Sequence, residues 1–560
     1  MDNFKIADSF SLLAKLMDIH GDNSFKSKSY ASAAFAIEKA DVQLSDLPFE
    51  QISSLRGIGA STSQKIIEII ETGQLKALEE IIFITPPGVI EMLNIKGIGP
   101  KKIHTIWKEM EIESVGELLY ACQENRLKMY KGFGEKTQQS IIDTIEFYQK
   151  SKARHLYVKA EIVAQQALSF FKKIFGDNAV FLSGDFKRQL EIVDNLDYVI
   201  SNPVKEIEKK IEGVPGFTLH DKNDSDLLYK TSAGIDIKIH TATPDFLFEK
   251  LVFTSSSAEF EAAFKTQFKD INLRGVASEE EIFERAGISM IPASLREEPS
   301  ILDHAREKKI PELIEASDIK GIIHCHSNWS DGSNTIEELA NAAIAKGFEY
   351  LVMSDHSKSA FYANGLTEER IQKQHSSIDE LNQRLSPFRI FKSIESDILN
   401  DGNLDYSNPV LGTFDLVIAS VHSNLKMTEE KAMKRLIAAI ENPYTTILGH
   451  MTGRLLLSRN GYPVDHKKII DACAANNVVV ELNAHPNRLD IDWRQIQYAL
   501  EKNVLISIDP DSHFINGFDD ILYGVLVAQK AMVSRENNLS SFSRNDFEKY
   551  ISHRKSVKNI

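Results

Sequence analysis

The chain has 560 residues, 42% hydrophobic and 26% charged, with a formal net charge of −15. That length exceeds what one hydrophobic core serves, so several globular domains are expected, and the acidic balance excludes a surface that binds polyanions everywhere; such a partner must meet a local basic patch. No 18-residue apolar run is present, "MDNFKIADSF" lacks the regions of a signal peptide, and Cys122, Cys325 and Cys473 are too scattered for a disulfide framework, so a cytoplasmic protein that avoids membranes is expected.

Residues 1–150 read as helical, with apolar residues at helical spacing in "DSFSLLAKLMDI" and "IHTIWKEM". Three stretches repeat one pattern: "LRGIGASTSQKI", "IKGIGPKKI" and "YKGFGEKTQQSI". Each places a Gly-apolar-Gly turn before a helix, through Gly57 and Gly59, Gly97 and Gly99, and Gly132 and Gly134. Glycine permits a tight turn and a close backbone approach, and the helix that follows offers free N–H groups to a phosphate. Lys96, Lys101 and Lys102 flank the second copy, and Lys131 and Lys136 the third. They suit phosphate contacts that ignore sequence. One such turn is an ordinary helix connection. Three resemble helix-hairpin-helix DNA-binding motifs, shared between an N-terminal part, 1–85, and a second, 86–150.

The next segment, "VFLSGDFKRQLEIVDNLDYVI", suggests a strand ending near Ser183 and another through Asp197 to Ile200, while "GIDIKIH" alternates like a strand carrying Asp236. Carboxylates on one face of such a sheet suit two-metal phosphoryl transfer. The segment resembles the nucleotidyltransferase palm of family X DNA polymerases, over 151–245, with a thumb-like part and linker at 246–316. Gly184, Lys187, Arg188 and Glu191 fall in register with that family's pattern, Asp197 and Asp236 match its second and third catalytic aspartates, and Arg188 would meet substrate phosphate. Asn195 stands where the first aspartate belongs, and Asp194 beside it should face the other way. Asp185 replaces a phosphate-binding serine, and Ser255 in "VFTSS" a glycine. The resemblance thus implies a palm with weak or absent polymerase activity, using Mg2+ or Mn2+ if its site assembles. It also places a lyase lysine at Lys65, in the first hairpin helix.

From residue 317 to 560, seven β-rich runs alternate with helical stretches: "GIIHCH", "YLVMSDH", "RIFKSIE", "LVIASVH", "TTILGH", "VVVELNAH" and "VLISIDPDSH". Alternation of this kind argues for a parallel sheet, and in a closed parallel barrel all strand C-termini share one mouth. Every run ends in a histidine or an acid. His324 and His326, at i and i+2, are expected to face inward together. So many strand-end histidines and acids would leave buried polar groups unpaired without a metal.

These runs resemble the polymerase-and-histidinol-phosphatase (PHP) domain, a distorted seven-stranded barrel. Carried over by position, the resemblance implies His324, His326, Asp331, His356, Glu395, His422, His450, Asp511 and His513 as ligands, with His485 in a supporting or substrate role. Asp355 also lies at a strand end. Nitrogen and oxygen donors suit Zn2+ or Mn2+, and the set suffices for about three ions at three to five ligands each. Arg454 and Arg488, just past two strand ends, could hold a substrate phosphate. Hairpins, palm, thumb and PHP barrel in this order resemble the bacterial family X polymerases along the whole chain. That implies DNA binding at gaps, nicks and 3′ ends in repair, with 3′–5′ exonuclease or abasic-site cleavage in the barrel. A gap-filling polymerase and a small-molecule phosphoesterase are the alternatives.

Overall fold

The computed structural model describes residues 2–560 except 41, 56–57, 124–126, 128–129, 131, 152–153 and 458–459. Gly57 and Lys131 therefore lie outside the described residues. The chain forms two compact units, Met1–Lys152 and Ala153–Ile560.

The first unit is helical. Helices α1 (Ala60–Thr72), α2 (Pro100–His104) and α3 (Glu135–Ser151) each follow one of the glycine turns. Ile6, Ile69, Val89, Ile103 and Ile145 belong to one core cluster. The expected parts 1–85 and 86–150 thus share a single core.

The second unit begins with a five-stranded sheet built from β1 (Val180–Ser183), β2 (Leu196–Ile200), β3 (Phe217–Lys222), β4 (Asp226–Thr231) and β5 (Ile237–Thr241). Its order is β1-β2-β5-β4-β3, with β2 and β5 parallel and the other pairs antiparallel. Asp236 precedes β5 instead of lying within it. A helical stretch follows, starting with α4 (Leu247–Thr254).

Seven parallel strands complete the chain in sequential order: β6 (Gly321–Cys325), β7 (Tyr350–Met353), β8 (Arg389–Asp397), β9 (Leu416–Ser420), β10 (Thr445–Leu448), β11 (Val479–Asn483) and β12 (Ile506–Asp509). Every residue of β6, β7 and β9 to β12 is buried, as expected of parallel strands covered on both faces. Alternate residues serve two clusters. Val417 and Ala419 join the larger one, while Ile418 packs with Ile323, Val352, Phe391, Ile447 and Val479 against Phe547 of the last helix. Cys325 bridges Ser512 in parallel, and two backbone bonds, His326 N to Ser512 O (2.8 Å) and Ser512 N to His324 O (3.2 Å), join the two ends of the sheet at the mouth.

Sheet, thumb and barrel are locked together by buried polar contacts. The Lys530 ammonium, at the end of the helix Ile521–Lys530, donates to Arg188 O (2.7 Å), Ser294 O (3.2 Å) and Glu297 Oε1 (2.7 Å). Trp493 Nε1 and Arg494 both donate to Glu191, at 3.2 and 3.0 Å.

Candidate metal centre

The mouth of the barrel gathers all the strand-end ligands that the PHP resemblance implies. Glu395, fully buried at the C-terminal half of β8, is the hub. Its Oε1 lies 3.2 Å from His324 Nε2 and 3.1 Å from both His422 Nε2 and His450 Nε2; its Oε2 lies 2.8 Å from His356 Nδ1 and 3.7 Å from His326 Nε2. Asp511 Oδ1 is 3.2 Å from His326 Nε2 and 3.5 Å from His324 Nε2. Asp331 reaches His356 (3.6 Å) and His513 (3.5 Å).

Among the described residues three groups have donor atoms within 4.8 Å of one another: His326, Asp331, His356 and His513; His324, His326 and Asp511; and His356, Glu395 and His422. His450 joins them through Glu395. The donors also fit divalent ions by what they lack. His324 Nε2, His326 Nδ1, His356 Nδ1, His450 Nδ1 and Glu395 Oε2 are buried and make no hydrogen bond, although some sit at ion-pair distance. Lone pairs that converge without hydrogen-bond geometry cost free energy until a cation takes them up.

His324 and His326 do face the site together, but simple alternation is not the reason. His324 has φ +60°, and the β6–β7 register shifts between Ile322 and Cys325. A bulge therefore re-aims the imidazole. Asp511, across the seam, has φ +51°. Left-handed backbone at these two residues stores strain of about 1–3 kcal/mol each, as functional sites do. Gly332 closes the loop between His326 and Asp331; a Cβ there would lie 2.2 Å from His326 O.

Charge alternates through the cluster. Burial opposes protonation of His422, yet Glu395 and Asp397 raise its pKa to about 10, and burial of His513 is likewise outweighed by Asp331 and Asp511, to about 9. Burial and the neighbouring His356 and His513 push His326 down to about 3. Burial of Asp331 works against ionisation, but the surrounding histidines hold it near 2.

Outside the ligands, two acids orient the imidazoles, and sequence reading singled out neither. Glu481 Oε2 lies 2.6 Å from His324 Nδ1, and Asp397 Oδ1 lies 2.5 Å from His422 Nδ1. Each fixes a tautomer with Nε2 directed at the centre. Glu481 is the single acid of the strand VVELN, and that is the signal that could have found it; Asp397 stands two residues after Glu395 on β8, the alternation that puts both on one face. Glu481→Gln keeps the shape but loses the charge; metal affinity is expected to fall about 10–100-fold, read as metal content after dialysis against graded chelator. Asp355 is no ligand: Ser327 N (2.8 Å), Ser330 Oγ (2.5 Å) and Gln374 Nε2 (2.6 Å) all donate to it, anchoring the ligand loop. His485, mostly buried, lies beside the centre with its amide on Asn483 Oδ1 (3.1 Å).

The expected phosphate-binding arginines divide. Arg488 stands at the mouth, its Nε 3.7 Å from Asp511 Oδ2. Arg454 is a correction: its guanidinium donates to Arg488 O (3.0 Å), Asp492 (2.6 Å) and Leu489 O, so it holds the turn that carries Arg488. Arg188 is a second correction. It pairs with Asp185 (2.5 Å) and Glu297 (2.7 Å), and so is engaged inside the fold.

In the palm, β2 pairs Asp197 with Lys238 of β5, so Asp236, Lys238 and His240 share its face. The carboxylates are already partnered. Asn195 Nδ2 donates to Asp197 Oδ2 at 2.6 Å, His240 Nε2 lies 2.9 Å from Asp197 Oδ1, and Lys230 Nζ pairs with Asp236 at 2.7 Å. His240 Nδ1 meets Asp226 at 2.7 Å. Asp194 turns away to Arg154 (3.2 Å).

In the hairpins, Gly97 and Gly132 have φ +89° and +95°, a conformation that favours glycine. Gly59, Gly99 and Gly134 have no positive φ, and a Cβ on any of them would meet nothing within 4 Å. Nothing within the fold demands glycine there, which leaves room for the backbone of another molecule. Gly59 and Gly99 cap α1 and α2 without a side-chain cap bond; the first N–H groups of α1 stay open, while α2 starts at Pro100, which has no N–H, and Lys102 N donates to Gly99 O (2.9 Å). Lys96, Lys101 and Lys136 are exposed beside these turns, and Lys102 lies 5.8 Å from the Phe133 ring of the third copy. Lys65 is half-buried on α1.

Residues 1–75 match the Helix-hairpin-helix domain family, residues 89–146 the SAM-like Helix-hairpin-helix tandem, and residues 323–485 the PHP domain. Fold and site define a helix-hairpin-helix protein that carries a metal-dependent phosphoesterase barrel of the PHP type. The DNA polymerase/3′-5′ exonuclease PolX of Bacillus subtilis (strain 168) is 33% identical over 563 residues, covering 96% of this chain and 97% of that protein. The chain belongs to the bacterial PolX family of DNA polymerases. Part of the chain also aligns with a probable phosphatase of Thermoanaerobacter sp. (strain X514), 30% identical over 204 residues (34% of this chain, 77% of the relative), and with the probable phosphatase YcdX of Escherichia coli O81 (strain ED1a), 26% identical over 170 residues (29% and 62%). Among the described residues no helix is long and apolar enough to cross a membrane.

Proposed function

We propose that this chain processes DNA 3′ ends as a 3′–5′ exonuclease whose chemistry resides in the barrel, with cleavage at abasic sites a related outcome. The observation that carries the reading is the contrast between the two sites. The barrel brings three His/Asp/Glu groups within reach of ions and leaves five buried His and Glu atoms without a hydrogen bond, whereas the palm pairs its carboxylates internally. The palm and hairpins then serve mainly to hold gapped or nicked DNA, and nucleotide addition is weak or absent.

We assign the expected set as ligands: His324, His326, Asp331, His356, Glu395, His422, His450, Asp511 and His513, for about three Zn2+ or Mn2+ ions. Such ions lower the pKa of water and neutralise charge on a phosphodiester. The chain's residues supply the rest. Glu481 and Asp397 keep His324 and His422 oriented. Asp355 holds the loop that carries Asp331. Arg488 meets the substrate phosphate. The hairpin glycines and lysines (Gly57, Gly59, Lys96, Gly97, Gly99, Lys101, Lys102, Lys131, Gly132, Gly134 and Lys136) bind the DNA backbone, and the five parts keep the bounds 1–85, 86–150, 151–245, 246–316 and 317–560.

A labelled gapped duplex incubated with Mn2+, with and without nucleotides, tests this. Shortening from the 3′ end is expected, and lengthening would favour the gap-filling polymerase. The relatives called probable phosphatases favour a second reading, a small-molecule phosphoesterase. Activity on DNA should fall steeply with salt, and activity on a phosphomonoester should not.

Lys65 is assigned the lyase role. Borohydride reduction with a 5′-deoxyribose-phosphate end is expected to trap a covalent adduct that Lys65→Ala loses. An adduct that persists in the variant assigns the chemistry to another amine.

A further inference from the structure

Between residues 317 and 560, only two phenylalanines among the described residues are exposed: Phe361 at 85% and Phe514 at 50%. Both stand at the mouth. Phe361 lies in the middle of the loop that leaves β7 after His356, and the base of that loop is stitched by Leu366 N to His356 O (2.9 Å) and by a bridge between Ser357 and Leu366. Phe514 follows His513, its carbonyl fixed by Ser512 Oγ (2.6 Å) and Gly517 N (2.9 Å). The barrel closes between β12 and β6, and β7 is the next strand. The two loops therefore rise from the strands that flank β6, one on each side of the seam. Cations share the rim: Arg488 follows β11, the strand paired with β12, and Lys426 follows β9, while Lys358 in the Phe361 loop is paired with Glu368 at 2.8 Å.

A mouth whose rim carries both exposed aromatic rings and cations matches the two chemistries of a nucleic-acid strand. Bases stack on rings whatever their identity, and phosphates seek the cations. We propose that Phe361 and Phe514 are stacking surfaces for the bases of the strand being hydrolysed, with its sugar-phosphate backbone directed toward the ligand cluster and Arg488. The two side chains position the strand and take no part in bond cleavage. This deepens the nuclease reading and rests on it.

The test uses the full chain with Mn2+ and two single-stranded oligonucleotides. One has ordinary bases throughout; the other has tetrahydrofuran abasic residues at its last two 3′ positions. The unmodified protein is expected to show a KM about tenfold lower for the strand with bases. Phe361→Ala and Phe514→Ala should each shrink that preference toward unity by raising KM for the base-bearing strand rather than lowering kcat. Phe361→Trp and Phe514→Trp should restore it, which a merely structural role would not predict. Variants that keep the full preference overturn the assignment, as does an unmodified protein that degrades both strands equally well. If the protein hydrolyses p-nitrophenyl phosphate but neither oligonucleotide, the nuclease reading itself falls and takes this assignment with it.

Discussion

His324→Ala is expected to abolish the Mn2+-dependent nuclease while leaving DNA affinity unchanged. The imidazole belongs to one of the three ligand groups and also lies 3.2 Å from Glu395. On the proposed assignment its loss removes a direct ligand, so the deficit should exceed the ~10–100-fold that loss of an orienting partner costs. Glu395→Gln should be at least as damaging, because one carboxylate serves five histidines. Exonuclease assays on a labelled 3′ end, paired with fluorescence anisotropy for binding, separate the two effects. Full nuclease activity in the His324 variant would mean that the centre is misassigned.

Primer extension carries the second large effect. The unmodified palm should extend a short gap poorly, for two separable reasons. Asn195 supplies an amide where a shared metal ligand is needed, and it donates to Asp197 at 2.6 Å. Asp185 brings a carboxylate to the triphosphate site and engages Arg188 at 2.5 Å. Asn195→Asp alone should restore little, because the nucleotide still binds badly. Asp185→Ser alone should restore little, because the metal site stays incomplete. The double change should recover more than both singles combined, a coupling of about 0.5–3 kcal/mol. His240, 2.9 Å from Asp197 Oδ1, and Ser255 in the thumb set a ceiling on that recovery. The assay belongs in the His324→Ala background, where degradation does not mask synthesis. Robust extension by the unmodified palm would place the gap-filling polymerase first.

The barrel was legible because parallel strands impose a rule that a sequence displays: each apolar run ends at the same mouth, so "SDH", "SVH" and "DPDSH" announce convergence. The bulge at His324 was not legible, since φ +60° in a histidine goes with the β6–β7 register shift and not with local preference. Glu481 and Asp397 were missed because their meaning depends on partners 157 and 25 residues away. Arg454 looked free for the same reason: a strand-end arginine reveals its position, and not the Asp492 carboxylate and the carbonyls of Arg488 and Leu489 that occupy it. In the palm, Asn195 was readable as a departure, but the pairing of His240 with Asp197 needed the β2–β5 register.

The seam between β6 and β12 has a kinetic consequence. His326 and Asp511 are 185 residues apart in the chain, and they meet only when the first and last strands of the barrel join. Contacts of such long range form late, because the intervening loop entropy must be lost before they stabilise anything. The other five strands can pair in sequence order as neighbours. Two of the three ligand groups straddle the seam, and the third, on β7 to β9, does not. A refolding chain thus acquires its ion sites in stages, and those that straddle the seam record that the ring of strands has closed.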